Sequence, residues 1–278
     1  MQIIDGKLIS QKVKDEIKEE IENKNLTPGL AVILVGQDKA SATYVASKEK
    51  ACAACGIKSF AYKFEEISED KLLNLIDDLN KNDKIDGILV QLPLPKNIDT
   101  NKILEKIDPK KDVDGFSAIN FGRLASGLDG FVPCTPLGIM RLLKEYKIEV
   151  SGKDVVVIGR SNIVGKPMAF LMINESATVT VCNSKTKNLK DITKNADILV
   201  VAIRKPLFLK ADMVKENSVI IDVGINRLDN GKLVGDVDFD EVSKKASFIT
   251  PVPGGVGPMT IAMLLQNTLN SAKKRNQR

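Results

Sequence analysis

Near the start of the chain Ile9, Val13, Ile17 and Ile21 stand four residues apart in a charged segment, the spacing of one helical face, and Thr27-Pro28-Gly29 ends it. The rhythm then changes. Residues 30–35 are an unbroken apolar run closed by Gly36, the pattern of a strand buried on both faces. A helix is predicted over 38–55, closed by Gly56, and a strand over 58–64. Ser68-Glu69-Asp70 supplies a cap and first-turn acids for a helix reaching about residue 80. A strand over 85–92 stops at Pro93 and Pro95. From 108 to 136 glycines and prolines make the chain loop-like, and residues 137–146 return to helix. Strand-like runs recur at 154–159, 177–182, 197–202, 218–223 and 248–249, and a last helix is predicted over 261–272. Strands alternating with helices predict an α/β protein with a largely parallel sheet.

Composition narrows the function. An apolar fraction of 43% suffices for a substantial core, and the net charge of +5 comes from lysines and arginines mixed with acids, not from the one-sided face of a nucleic-acid binder. Neither a signal peptide nor a membrane-crossing run is legible, so a cytoplasmic protein, or an organellar one if a targeting segment has been lost, without membrane or nucleic-acid partners is expected, its four cysteines reduced. Cys52-x-x-Cys55 has no second pair and no histidine to complete a zinc site, so no metal is expected. The terminal basic run Lys273-Lys274-Arg275, with Arg278, reads as a frayed, soluble tail. The chain has no histidine, which excludes imidazole acid–base chemistry and every nucleophile–histidine pair. Proton movement must use Lys, Tyr, Asp, Glu or water.

Two stretches could carry ligand chemistry. The β-branched run 155–158 ends at Gly159, followed by Arg160-Ser161, then Gly165 and Pro167 before an apolar helix-like segment. Strand, tight loop and helix start present unpaired N–H groups to a phosphate, although the spacing departs from G-x-G-x-x-G and an ordinary βα turn would read the same way. The next strand ends in Asn183-Ser184-Lys185-Thr186, with no acid where NAD sites place one, so NADP is favoured. In the other stretch Ser41, Tyr44 and Lys48 share one helix face. Lys48 fits a desolvated acid–base lysine, or a surface lysine lying beside a half-buried tyrosine. Gln91 ends a strand and could orient that lysine or bind substrate, or simply cap the strand. Asp114, in a glycine turn, could grip an N–H-rich heterocycle or form an Asx turn. The glycine- and proline-rich segment 251–260 is stiff and closely approachable, suiting a flat ligand or a structural turn.

In order along the chain, Ser41-x-x-Tyr44-x-x-x-Lys48, Gln91-Leu-Pro-Leu-Pro95, Lys111-Asp-Val-Asp-Gly115, Gly159-Arg-Ser-x-x-Val-Gly-x-Pro167 and Pro253-Gly-Gly-Val-Gly-Pro-Met-Thr260 closely resemble the bifunctional methylenetetrahydrofolate dehydrogenase/methenyltetrahydrofolate cyclohydrolase family, over about residues 1–270. The resemblance implies two α/β lobes around a cleft, the second a Rossmann-like dinucleotide-binding domain. The expected boundaries are 1–137 plus a C-terminal helix 259–278 for the folate-binding domain, and 138–258 for the NADP domain. It implies NADP-dependent oxidation of 5,10-methylenetetrahydrofolate, then hydrolysis to 10-formyltetrahydrofolate, by a homodimer acting in one-carbon metabolism. Tyr44 would stack on the folate, Lys48 would be the acid–base group, Gln91 would support it, Asp114 would bind the pterin, and Pro253, Gly254 and Gly255 would line the substrate. Gly159, Arg160, Ser161 and Ser184 would hold NADP, with Ile225 beside the nicotinamide. Two departures touch the cofactor side: Asn183 stands where the family often has histidine, and Arg204 where glycine is frequent.

A short-chain-type dehydrogenase shares the Tyr-x-x-x-Lys pair but carries its glycine loop before that pair, the reverse of the order here. A purely binding protein would need a one-sided basic face. Turnover compared with each dinucleotide is expected to favour NADP; a strong preference for NAD would contradict the reading of residues 183–186.

Overall fold

The computed structural model describes residues 1–276; residues 277 and 278, and with them the expectation for Arg278, lie outside the described part. The elements run β1 (Gln2–Ile3), α1 (Gly6–Asn23), β2 (Gly29–Val35), α2 (Lys39–Ala54), β3 (Lys58–Phe64), α3 (Glu69–Lys81), β4 (Gly87–Val90), α4 (Thr100–Lys106), α5 (Ala118–Ala125) and α6 (Cys134–Glu145). They continue with β5 (Asp154–Ile158), α7 (Gly165–Asn174), β6 (Thr178–Cys182), α8 (Leu189–Thr193), β7 (Ile198–Val201), β8 (Val219–Asp222), β9 (Asn226–Arg227), β10 (Leu233–Val234), α9 (Phe239–Val242), β11 (Phe248–Ile249) and α10 (Val256–Asn276). Two compact units result: Met1–Ser10 with Thr135–Thr260, and Gln11–Cys134 with the chain from Ile261 onward.

The Gln11–Cys134 unit holds a three-stranded parallel sheet in the order β3-β2-β4. Every residue of the central strand β2 is buried, which is why its sequence shows no alternation. Ile33, Leu72, Ile76, Ile88 and Ile103 belong to one apolar cluster on this sheet. Gly29 opens β2 at a backbone crossing, where a Cβ would lie 1.9 Å from the Lys84 carbonyl oxygen. The Gly29 N–H donates to Asp86 Oδ2 at 2.9 Å.

The other unit contains a six-stranded, wholly parallel sheet in the order β1-β11-β8-β7-β5-β6. Chain order reverses around β5, which pairs with β6 on one side and β7 on the other, and such a switch point opens a crevice beyond the strands' C-terminal ends. The N-terminal ten residues go with this unit because Gln2 and Ile3 pair with Phe248 and Ile249, and the Asp5 N–H donates to the Tyr146 hydroxyl at 2.7 Å.

Several elements differ from the sequence expectation. The stretch 108–136 contains α5, whose N-cap Ser117 accepts the Asn120 N–H, and α6 begins at Cys134. The last helix starts at Val256, with Pro258 in its first turn, where a missing N–H costs nothing. It runs to Asn276, so the basic run is not a frayed tail: Lys273 pairs with Glu20 at 2.7 Å, Lys274 with Asp129 at 2.6 Å, and Arg275 with Asp86 at 3.3 Å. The Lys274 pair is exposed and contributes little. Asp86 differs, because its buried carboxylate serves Gly29 and Arg275 together. Among the described residues no helix is long and apolar enough to cross a membrane. Asp86→Ala strands the Gly29 N–H and is expected to cost about 2 kcal/mol in urea unfolding; unchanged stability would contradict this clasp.

Candidate active site and nucleotide-binding crevice

Helix α2 is launched by Asp38, whose Oδ2 accepts the Ser41 N–H at 2.7 Å. The helix then buries Ser41, Val45, Lys48 and Cys52 along one stripe. Lys48 is only 5% exposed. Its Nζ donates to Gln91 Oε1 at 3.1 Å and sits 4.8 Å from the centre of the Tyr44 ring, a cation–π distance. Gln91 follows β4, and its Nε2 donates to the Leu92 carbonyl at 2.7 Å, which turns the amide oxygen toward the lysine.

Asp114 reaches this neighbourhood from the 112–115 turn. Gly115 (φ +71°) makes the turn where a Cβ would come within 2.7 Å of Pro133 N. The buried carboxylate of Asp112 accepts N–H groups of Phe116 (3.1 Å) and Ser117 (2.9 Å) and the Asn120 Nδ2 (2.9 Å). Burial drives the Lys48 ammonium below its ordinary pKa, and the Asp114 carboxylate pulls it partly back. Burial raises Asp114, and Lys48 opposes that rise. The Cys134 thiol donates to the Val113 carbonyl at 3.4 Å, and burial and the Asp114 charge push its pKa well up. Asn267 donates to the carbonyls of Val113 (2.8 Å) and Val132 (3.1 Å), fixing the segments on either side.

The four residues singled out as catalytic, Tyr44, Lys48, Gln91 and Asp114, therefore gather at one place. Cys134 and Asn267 carry no local motif, and only the fold brings both to the Val113 carbonyl; Asp112 lies inside the Lys111–Gly115 motif, where the sequence reading gave it no role. All four cysteines are free and buried, and Cys52, on α2 beside Lys48, is pushed up to about 12.

In the other unit, Gly159 (φ +130°) leaves β5 where a Cβ would fall 2.5 Å from the Ala202 oxygen. A Cβ on Gly165 would lie 2.2 Å from the Gly159 oxygen, so both glycines permit one tight loop. Ser161 Oγ accepts the N–H groups of Val164 (3.2 Å) and Gly165 (3.3 Å) at the start of α7. Arg160, Ser161, Ser184, Lys185 and Lys187 are exposed, and Ser184 sits in a turn after β6 whose Asn183 Oδ1 accepts the Lys185 N–H at 3.0 Å. Asn183 thus acts as an Asx-turn residue. Arg204, exposed after β7, has φ +54°, a left-handed conformation that glycine adopts at least cost. Ile225 is 58% exposed after β8. These residues follow the C-terminal ends of β5, β6, β7 and β8. In the same unit Pro253, Gly254 (φ +108°) and Gly255 form the loop before α10; the Lys7 N–H donates to the Gly254 oxygen at 3.1 Å, and a Cβ on Gly6 would lie 1.7 Å from the Gly255 oxygen.

Residues 4–114 match the catalytic domain of tetrahydrofolate dehydrogenase/cyclohydrolase, and residues 133–276 match its NAD(P)-binding domain. The bifunctional protein FolD of Campylobacter hominis is 70% identical over 282 residues, covering 100% of this chain and 99% of that protein. Among solved structures, the bifunctional FolD methylenetetrahydrofolate dehydrogenase/cyclohydrolase of Campylobacter jejuni is 58% identical with a TM-score of 0.97, covering 99% of each chain. The Trypanosoma brucei methylenetetrahydrofolate dehydrogenase-cyclohydrolase, solved with NADP and an inhibitor, is 40% identical with a TM-score of 0.94 over 99% of this chain and 98% of that one. With both domains matched in order and such relatives spanning its length, the chain belongs to the tetrahydrofolate dehydrogenase/cyclohydrolase family.

Proposed function

We infer that this protein oxidises 5,10-methylenetetrahydrofolate to 5,10-methenyltetrahydrofolate with NADP and then hydrolyses the methenyl carbon to 10-formyltetrahydrofolate. The observation that carries the reading is the buried Lys48 amine, bound to Gln91, set against Tyr44 and charge-coupled to Asp114.

The methenyl carbon is cationic, and water adds to it only as a proton leaves. A lysine whose neutral form is favoured by burial can take that proton as the carbon–oxygen bond forms. The resulting ammonium returns the proton to N5 of the folate as the carbon–N5 bond breaks, and the remaining hydroxyl proton departs to leave the formyl group. Gln91 Oε1 holds the amine in place through both steps, and the Tyr44 ring offers a face to the flat substrate. Asp114 accepts hydrogen bonds from the pterin and supports the ammonium when it forms.

For the dinucleotide, the loop that only glycines at 159 and 165 allow, the exposed cations Arg160, Lys185 and Arg204, and the lack of any acid among residues 183–187 fit NADP. When bound there, NADP supplies the hydride acceptor. Arg160, Ser161 and Ser184 would hold its phosphates, Ile225 would lie at the nicotinamide, and Pro253–Gly255 would line the folate. The reduced state of four buried cysteines suits the cytoplasm. β6 is a sheet-edge strand with Val181 39% exposed, Ile173 near the end of the preceding helix α7 is 51% exposed, and a second copy of the chain would cover this edge in a homodimer.

Lys48→Gln is expected to lower cyclohydrolase turnover at least ~10²-fold, whereas full activity would refute the assignment. In the parent, cyclohydrolase turnover should fall as pH drops through the burial-lowered Lys48 pKa, because the ammonium cannot accept a proton. Arg204→Gly relieves a left-handed backbone worth about 1 kcal/mol, so Tm should rise by about 2 °C. The same change removes a cation and should raise the NADP KM several-fold; an unchanged KM would dispose of the cation's role.

A further inference from the structure

The loops that carry Arg204 and Ile225 converge on one carboxylate that no motif marked. Asp236, wholly buried, accepts the consecutive N–H groups of Ile203 (2.7 Å), Arg204 (2.9 Å) and Lys205 (2.8 Å), and the Asn226 Nδ2 at 2.9 Å. Its own N–H donates to Asp222 Oδ1 at 2.9 Å. Asp222, at the end of β8, also accepts from Gly224 N (2.9 Å) and Val237 N (3.0 Å), and its N–H is bound by Thr250 Oγ1 at 2.8 Å. The packing leaves no slack. A Cβ on Gly224 would lie 2.4 Å from the Asp236 carboxyl, and one on Gly235 would lie 1.7 Å from Asp222 Oδ2.

We propose that Asp236 is the positioning residue of the nucleotide crevice, clamping the 203–205 and 224–226 loops so that Arg204 and Ile225 meet the dinucleotide in one fixed arrangement. The inference rests on the NADP reading above. Three successive backbone N–H groups aimed at a single acceptor hold a turn whose middle residue, Arg204, lies at φ +54° despite its Cβ. That turn follows β7 next to the glycine loop, since Ala202 O is the atom a Gly159 side chain would strike. Asp236 is shut off from solvent, and both of its carboxylate oxygens accept hydrogen bonds from the two loops.

Charge and position give opposite signs, which makes the role testable. Removing a negative charge beside an anionic dinucleotide should by charge alone tighten binding. Loss of the clamp should weaken it, because an amide in place of the carboxylate turns an NH2 toward the N–H donors. Asp236→Asn in the full-length protein is therefore expected to raise the NADP KM, and the Kd for NADPH measured by its fluorescence, at least ten-fold. Cyclohydrolase kcat/KM on 5,10-methenyltetrahydrofolate, assayed without nucleotide, should stay within two-fold of the parent, as should both activities of Asp238→Asn, which removes a carboxylate paired on the surface with Lys210. A parent-like or lower NADP KM in Asp236→Asn, even with a reduced Tm, overturns the proposal. If that variant does not fold, Asn226→Ala, which removes one clamp and leaves the carboxylate, should raise the NADP KM about three-fold, and no change there overturns it equally. A parent enzyme inactive with NADP would sink the functional reading instead, leaving the two failures distinct.

Discussion

An amine taken out of water is the constraint on which the catalytic unit depends. A free ammonium buried at the depth of Lys48 is unfavourable, so the surroundings must either neutralise it or compensate it. They do some of each. Gln91 offers one neutral acceptor, the Tyr44 ring offers its face, and Asp114 offers a negative charge whose own ionisation is resisted by burial. Burial thus pushes the amine down and the acid up, and the charge of each partly opposes the shift of the other. The chain has no histidine, so no imidazole competes with this pair for a proton-transfer role. Cys134, its thiol pushed well up by burial and by the Asp114 charge, donates to the Val113 carbonyl without adding a charge.

The local backbone exists to hold that arrangement. Asp38 starts α2 so that residues 41, 45, 48 and 52 face inward. Gly115 lets the Asp114 turn pass against Pro133, Asp112 fastens the residues that follow, and Asn267 ties the carbonyls of Val113 and Val132. The nucleotide crevice uses the same two devices, glycine where backbones nearly touch and a buried carboxylate where N–H groups need one acceptor. Gly159 and Gly165 serve the first purpose there, and Asp236 the second.

Legibility followed the range of the interactions. The strands were visible because a buried parallel strand writes itself as a short apolar run, and β3 begins and ends where the sequence placed it. Lys48, Tyr44, Gln91 and Asp114 were visible because each sits in a local motif. The helix α5 was not, since glycines flank it and its start depends on Ser117 as a cap. The tail misled for a different reason. A run of lysines and arginines looks solvated until Glu20, Asp86 and Asp129 are seen beside it, and those partners lie far away in sequence. Asp222 and Asp236 escaped on the same ground, for their partners, the Asn226 amide apart, are backbone N–H groups, which leave no trace in side-chain identity.

The most direct measurement is the titration of the Lys48 amine itself in the unliganded protein, followed through its ¹³Cε resonance and assigned by its loss in Lys48→Gln. A midpoint clearly below the ordinary lysine value of about 10.4 is the expected result. A midpoint at or above that value would mean that burial does not govern the amine, and would contradict the account of the site.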